Sequence, residues 1–268
     1  MRNALVTAAI VAMSLVGLRA DVTVVQTMTM EGAAAAALGG AMLPRITMHI
    51  KGQKARSDIE MNGQTISSIA DIKARQIVLL NSANKTAMVM TPNSGPAVPM
   101  PEIDVTMKPT GKSQTIDGQT CDEHAMALTL NMSDVMPQGA QVPPEAAAMM
   151  ADVKMVMKGS IWIAKAAPGA SEFAAFNKAA LESNLFAALS GAASGAGPLD
   201  KLMKAGAASP GLPYLTEMTM EFQGGGPMAE AMQQMGPMKM IQKISSVSTA
   251  PLADDLFTIP ADYKVEKQ

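Results

Sequence analysis

The chain has 268 residues, a formal net charge of −2 and one cysteine, and 48% of its residues are hydrophobic. This length is enough for one large core, the charge offers no concentrated basic face for nucleic acid, and a single cysteine excludes an internal disulfide. Aromatic residues make up only 3% of the chain, whereas methionine occurs 26 times, so flexible thioethers replace rigid rings as apolar filler.

Residues 1–20 have the pattern of a cleavable export signal. Arg2 gives a positive start, and Ala4–Leu18 is an apolar run shorter than the roughly 20 residues that a membrane-spanning helix needs. Ala20 places a small residue before a predicted cleavage at Asp21, and no cysteine stands there for a lipid anchor. We therefore predict a signal peptide over 1–20 and a single periplasmic or secreted domain over 21–268. The alternatives are an uncleaved anchor and a buried first helix.

Alternation of apolar and polar residues with a period of two dominates the rest of the chain. In Arg45–Ile50, the side chains of Ile46, Met48 and Ile50 share one face, and the opposite face is polar. Short turns such as Asn62–Gly63 predict antiparallel hairpins. The same alternation predicts nine further strands: Asp21–Met30, Gln53–Met61, Thr65–Ala70, Gln76–Leu80, Thr86–Thr91, Thr120–Leu130, Val153–Ala164, Leu215–Gln223 and Met238–Val247.

Three segments interrupt this pattern, at 32–42, 92–111 and 132–149, but the short strands on either side need one another to bury a face. After about eight strands, Ser171 is a predicted N-cap of a helix that Gly191 can end, and a second short helix is predicted around Leu199–Lys204. The first helix has five apolar residues at helical spacing: Phe173, Phe176, Ala180, Leu181 and Leu185.

An amphipathic helix after so many strands is expected to cover the apolar face of the sheet. The predicted fold is α+β, with a large curved antiparallel sheet, or half-barrel, and a helical insertion packed on its apolar face.

Several short motifs occur in a recognisable order along the mature chain. They are ITMHIKGQKARSDIEM, QIVLLNSANKTAMVM, GQTCDEHAMAL, KGSIWIA and the ending LFTIPADYK, which include Gly118, Cys121, Trp162, Phe257, Pro260 and Tyr263. In this order they resemble an uncharacterised family of secreted bacterial proteins, domain of unknown function 4412. That family is similar in strand order to the periplasmic lipoprotein carriers LolA, LolB and LppX. The resemblance implies a half-barrel that holds an apolar cavity under helices and, by analogy, lipid or lipoprotein handling.

Methionines on the apolar faces of the predicted strands, Met61 among them, are the main sequence indication of a cavity. Unbranched thioethers adapt to changing shapes, so a concave surface of this kind suits an acyl chain or another irregular apolar ligand. A solid methionine core is the alternative interpretation. The candidate cavity residues are Met48, Met88, Met90, Met155, Met157, Met218, Met220, Phe222, Phe173 and Phe176.

The segment Met228–Met240 supports a second interpretation of methionine. Its thioethers recur three and four residues apart, and soft thioether ligands favour Cu(I). The same spacing is typical of a short helix that packs on the sheet. Copper binding is therefore the minor alternative, and no metal ligands are assigned from the sequence.

Catalytic patterns are not found in the sequence. Cys121 and His124 lie three residues apart on a predicted strand, so their side chains point to opposite faces. Two histidines cannot form a three-histidine metal site, and no nucleophile elbow or phosphate-binding loop occurs. Carboxylates such as Asp58, Glu123 and Glu217 lie on alternating polar faces beside basic residues. We therefore predict a non-enzymatic binding or carrier protein for a lipid or other apolar molecule, without a cofactor. A structural envelope protein without a ligand is the alternative.

Overall fold

The computed structural model describes residues 20–32, 44–91, 103–132, 152–185, 204–206, 209–234 and 236–267. Twelve strands of this part of the chain form one sheet with the order β12-β6-β5-β4-β3-β2-β1-β11-β10-β9-β8-β7. The strands are β1 Val22–Glu31, β2 Arg45–Lys51, β3 Lys54–Met61, β4 Gln64–Asp71, β5 Gln76–Asn81, β6 Thr86–Met90, β7 Ile103–Ile116, β8 Gln119–Asn131, β9 Lys154–Ala164, β10 Leu212–Gln223, β11 Met238–Ser248 and β12 Lys264–Lys267.

The sheet is curved and open, and the fold class is α+β, as the alternation predicts. All ten predicted strands are present, and their ends differ from the predicted ones by at most three residues. The sheet is mixed rather than purely antiparallel, because β12 pairs with β6 in parallel. All other neighbouring strands in this sheet run antiparallel.

Two strands, β7 and β12, differ from the sequence prediction. Part of β7 occupies the predicted break at 92–111, and nine strands therefore precede the first helix instead of eight. β7 is an edge strand of the described sheet, with β8 as its one neighbour. Pro109 has no N–H, and this is tolerated on an edge strand because no strand lies on the other side to accept a hydrogen bond. The register with β8 shifts between Pro109 and Ser113, which marks a bulge at this point.

Helix α1 spans Ala170–Glu182 and begins two residues earlier than an N-cap at Ser171 predicts. Its N-cap is Gly169 rather than Ser171, and the side chain of Ser171 bonds to Glu172 instead. Gly169 has a φ of 76° and lies so close to β1 that a Cβ atom would be 2.8 Å from the Val22 side chain. A glycine is required here both by the left-handed conformation and by the close approach.

The end of α1 is a Schellman motif, not the predicted Gly191, which lies outside the described residues. Asn184 adopts a left-handed φ of 54°. The N–H of Asn184 donates to the carbonyl oxygen of Leu181, and the N–H of Leu185 donates to the carbonyl oxygen of Ala180. Leu185 thus follows the helix rather than belonging to it, yet it is fully buried. Of the predicted second helix at Leu199–Lys204, only Lys204 is described, and it is helical.

Much of the main core lies between α1 and one face of the sheet, which we call the inner face. Val24 and Met48 are direct cross-strand partners on this face, and Phe176 and Ala180 of α1 pack in the same cluster. Residues opposite each other in the register share a face, so the inner face is followed from strand to strand. The predicted covering of the apolar face by a helix is therefore present.

The opposite, outer face is not polar throughout, which corrects the sequence prediction. Ile69, Val78, Leu80 and Ala87 are buried there against Phe257 of a 3₁₀ helix, Asp254–Phe257. The chain around this helix crosses the outer face, and Leu252, Leu256, Ile259 and Tyr263 pack against the same cluster. Strands β5 and β6 are consequently apolar on both sides.

The predicted signal peptide lies outside the described residues, except for Ala20. Within the described part of the chain, no helix has both the length and the apolar character needed to cross a membrane.

Candidate functional site

A cavity of about 470 Å³ lies between the inner face of the sheet and α1. This volume is within the range of about 300–1,000 Å³ that is typical of small-molecule sites. The exposed residues Gly206 and Pro210 lie at its rim. The described lining residues are Met48, Ala55, Ser57, Ser68, Ala70, Met107, Met126, Ile161, Ile163, Phe173, Ala174, Phe176, Asn177, Gly206, Ser209, Pro210, Gly211 and Pro213.

The sheet side of the cavity is formed by two groups of strands. In the first group, the register places Met48 opposite Ser57 and Ser57 opposite Ser68, which sets one thioether and two hydroxyls side by side on β2, β3 and β4. In the second group, Met126 of β8 lies directly opposite Met107 of β7. Curvature of the sheet brings both groups to one cavity, although they lie at distant positions in the strand order.

The helix side of the cavity is formed by one face of α1. Phe173, Phe176 and Asn177 recur at spacings of three and four residues, so their side chains lie on the same side of the helix. Phe176 is buried and Phe173 is half-buried. Two rigid rings and one amide therefore face the flexible methionines of the sheet.

Of the predicted cavity residues, Met48, Phe173 and Phe176 line the cavity. Met90 is part of the main core, and Met88 packs against it. The remaining five lie on the inner face beyond the cavity lining: Met155, Met157, Met218, Met220 and Phe222. Met61, which the alternation also placed on the apolar face, is 42% exposed at the end of β3.

A row of methionines crosses the inner face over six neighbouring strands. The register pairs Met30 with Met240, Met240 with Met218, Met218 with Gly159, Gly159 with Met126, and Met126 with Met107. Gly159 interrupts the row because a Cβ atom there would be 1.8 Å from the carbonyl oxygen of Glu217. Two members of this row, Met107 and Met126, reach the cavity.

Met157 and Met220 belong to a second, adjacent row. Met220 lies opposite both Met157 and Met238, and Met157 lies opposite Leu128. The unbranched side chains of both rows can change conformation more readily than branched ones. The inner face next to the cavity is therefore unusually adaptable.

The segment Met228–Met240 is not a single helix. Helix α2 spans Pro227–Gln234 and carries Met228 and Met232 four residues apart, whereas Met238 and Met240 belong to β11. Met235 lies outside the described residues. The helical spacing of methionines on which the copper hypothesis depends therefore applies to Met228 and Met232 but not to Met238 and Met240.

The described part of the cavity lining is uncharged. Among its described residues, the polar side chains are those of Ser57, Ser68, Asn177 and Ser209, and none is ionisable. Ser57, Ser68 and Asn177 make no side-chain hydrogen bond within the described part of the protein, and all three are half-buried. The site thus offers hydroxyls and an amide to a ligand within an otherwise apolar surface.

Cys121 and His124 do not form a catalytic pair. Both lie on β8, three residues apart, and thus on opposite faces of the strand. The Cys121 thiol is fully buried and donates a hydrogen bond to the carbonyl oxygen of Gln119 at 3.5 Å. Burial raises the pKa of this thiol, so the reactive thiolate is disfavoured.

The outer face carries a compact polar network on β1 to β4. The Asp58 carboxylate accepts hydrogen bonds from Nε of Arg56 at 2.8 Å and from the Ser67 hydroxyl. His49 Nδ1 lies 3.0 Å from Oγ1 of Thr23, and its Nε2 lies 3.8 Å from Asp58. Burial lowers the pKa of His49, and the Asp58 carboxylate partly opposes this effect.

Arg56 also connects this network to the segment that crosses the outer face. Its Nη1 donates to the carbonyl oxygen of Leu256 at 3.1 Å. Lys51 pairs with Asp254 at 2.7 Å and donates to the carbonyl oxygen of Leu252. The network is therefore an attachment of the C-terminal segment on the face opposite the cavity. Among the residues that the structure describes, no three His, Cys, Asp or Glu side chains group as metal ligands.

Comparison with known proteins gives only distant structural likenesses. No family model and no curated protein matches the chain. Among solved structures, it is similar to the crystal structure of an uncharacterized conserved protein from Thermus thermophilus. The identity is 7% and the TM-score 0.39, over 94% of this chain and 92% of that chain.

Proposed function

We propose that the protein is an exported, non-enzymatic carrier or binding protein for a lipid or similar apolar molecule that occupies the cavity under α1. The observation that carries this proposal is the cavity of about 470 Å³, with Met48, Met126 and Phe173 on its walls. A volume of this size bounded by apolar side chains matches sites that bury most of a small ligand.

Two further observations support a carrier. Methionines on the sheet side adapt to irregular chains, and the rigid rings of Phe173 and Phe176 provide contact area from the helix. A half-barrel under a helix is also the arrangement that the resemblance to LolA, LolB and LppX implies, which is support by analogy. Against an enzyme, the Cys121 thiol is buried and its pKa is raised.

Equilibrium binding of a neutral fluorescent acyl probe to the mature protein tests the proposal. We expect saturable enhancement of fluorescence with one site per chain. A folded protein that gives no enhancement at any probe concentration would favour the scaffold alternative. N-terminal sequencing of the exported protein tests the location, and a mature form that begins at Asp21 is the expected result.

A further inference from the structure

The polar groups of the cavity specify the chemical class of ligand more closely than its apolar surface does. Ser57 and Ser68 are direct cross-strand partners, and Asn177 lies across the cavity on α1. These three half-buried side chains have no hydrogen-bond partner within the described chain. A polar group that is partly removed from water without a partner costs free energy, which a ligand that bonds to it restores.

Two groups on β8 lie beside the lining on the inner face. Asp122 lies opposite Ile163 but is paired with Lys165 at 2.9 Å, and His124, opposite Ile161, is a buried imidazole.

The charged side chains of β3 and α1 next to the cavity are directed elsewhere. On β3, Arg56 and Asp58 alternate with Ala55 and Ser57, so they lie on the outer face, where they bond to each other. On α1, Lys178 is adjacent to Asn177 in sequence, but its ammonium is exposed and lies 3.8 Å from the Glu182 carboxylate. No charge of the described lining would neutralise a ligand carboxylate.

We infer that the cavity selects an uncharged amphiphile, an acyl chain whose head group carries hydroxyl, ester or amide groups, over a free fatty acid. This inference rests on the proposed carrier function and names its ligand class. An ester oxygen of the ligand accepts hydrogen bonds from Ser57, Ser68 and Asn177, and a ligand hydroxyl both accepts from them and donates to them. The ionised carboxylate of a fatty acid in the cavity would lose its hydrating water without gaining a positively charged partner. An apolar, uncharged cavity therefore favours the protonated form of the fatty acid.

The test compares a monoacylglycerol with the free fatty acid of the same acyl chain, as competitors of the neutral fluorescent probe. At pH 8 we expect the monoacylglycerol to displace the probe at a concentration about tenfold lower or more. At pH 5 the difference should narrow, because protonation removes the charge of the fatty acid. Equal displacement at pH 8, stronger displacement by the fatty acid, or no displacement by either lipid would overturn the inference and leave the carrier function standing. Failure of the probe itself to bind would overturn both.

A charge placed in the cavity gives a second readout. Asn177→Lys adds an ammonium to the lining and should reverse the preference, so that the fatty acid becomes the stronger competitor at pH 8. Ala175→Lys is the matched control, because Ala175 lies on the same helix outside the cavity lining; it should leave the preference unchanged. Ser57→Ala combined with Ser68→Ala should weaken monoacylglycerol binding about threefold to tenfold, while probe binding shows that the variant is folded. A preference that both lysine variants leave unaltered would contradict the inference.

Discussion

Met48 of β2 and Phe173 of α1 line the same cavity, one from the curved sheet and the other from the helix that covers it. The two residues are distant in sequence, and each is an apolar residue on the inward side of its own element. The side chains of Met48 and Phe173 are separated by a cavity. In a protein with a solid core, this space would be filled by side chains.

The first prediction concerns filling of the cavity. Ala174→Phe places a ring within the lining, so binding of a neutral acyl probe should weaken strongly, while stability changes by less than about 1 kcal/mol because the space is already present. Ala175→Phe is the matched control, since Ala175 does not line the cavity. Unfolding by Ala174→Phe, with a cost of several kcal/mol, would show that this space does not exist.

The second prediction compares two methionines of one row. Met218 is 2% exposed and does not line the cavity, so Met218→Gln should lower the free energy of unfolding by about 1–3 kcal/mol. Met126 lines the cavity, and Met126→Gln should reduce probe affinity more than stability. Urea denaturation and probe titration of both variants provide the comparison. Equal effects of the two changes on binding would argue against a ligand beside Met126.

The third prediction concerns Cys121. Because the thiol is buried and its pKa is raised, a thiol reagent should label native protein at pH 8 far more slowly than protein in urea. Cys121→Ala should bind the probe like the wild type. Rapid labelling of the native protein, or loss of binding in a folded Cys121→Ala variant, would revive a chemical role for this residue.

The fourth prediction concerns the segment that crosses the outer face. Phe257 is buried against β4 to β6, and Phe257→Ala should destabilise the protein by about 3–5 kcal/mol. Val265→Ala is a suitable control because Val265 is largely exposed on β12. Thermal unfolding of the two variants measures the difference, and a loss below about 1 kcal/mol for Phe257→Ala would mean that this segment does not close the outer face.

The fifth prediction concerns pH. The pKa of His49 is lower in the folded protein than its ordinary value of about 6.5, so the unfolded chain takes up protons first on acidification. His49 therefore contributes a loss of stability as the pH falls from 7.5 to 5.5. In His49→Gln the free energy of unfolding should fall less over this interval than in the wild type. Thr23→Val removes the Oγ1 partner without removing the titrating group and is the control; a steeper decline in His49→Gln would contradict the assignment.

The strands and their inward faces were predictable because the alternation is local. Ile46, Met48 and Ile50 reveal the inner face of β2 from spacing alone. β7 was not predictable in the same way, because Pro109 and the bulge before Ser113 disturb its pattern. β12 is a short polar strand whose partner, β6, lies far away in sequence, and its parallel pairing has no local signal.

The site was predictable only in part. Helical spacing identified Phe173 and Phe176, and alternation identified Met48, but Met107 and Met126 join them through the curvature of the sheet. Asn177 and the serines Ser57 and Ser68 give no signal in a sequence pattern that follows apolar residues. The outer cluster had a signal, since Ile77–Leu80 is an unbroken apolar run, as expected for a strand buried on both faces.

Photo-crosslinking with a monoacylglycerol analogue that carries a diazirine on its acyl chain tests whether the cavity under α1 holds the ligand, because it locates the ligand as well as detecting it. We expect saturable labelling that excess unlabelled monoacylglycerol suppresses, with adducts on peptides that contain Met48, Met126 or Phe173. Labelling that does not saturate, or adducts confined to the outer face around Phe257, would contradict binding of the ligand in this cavity.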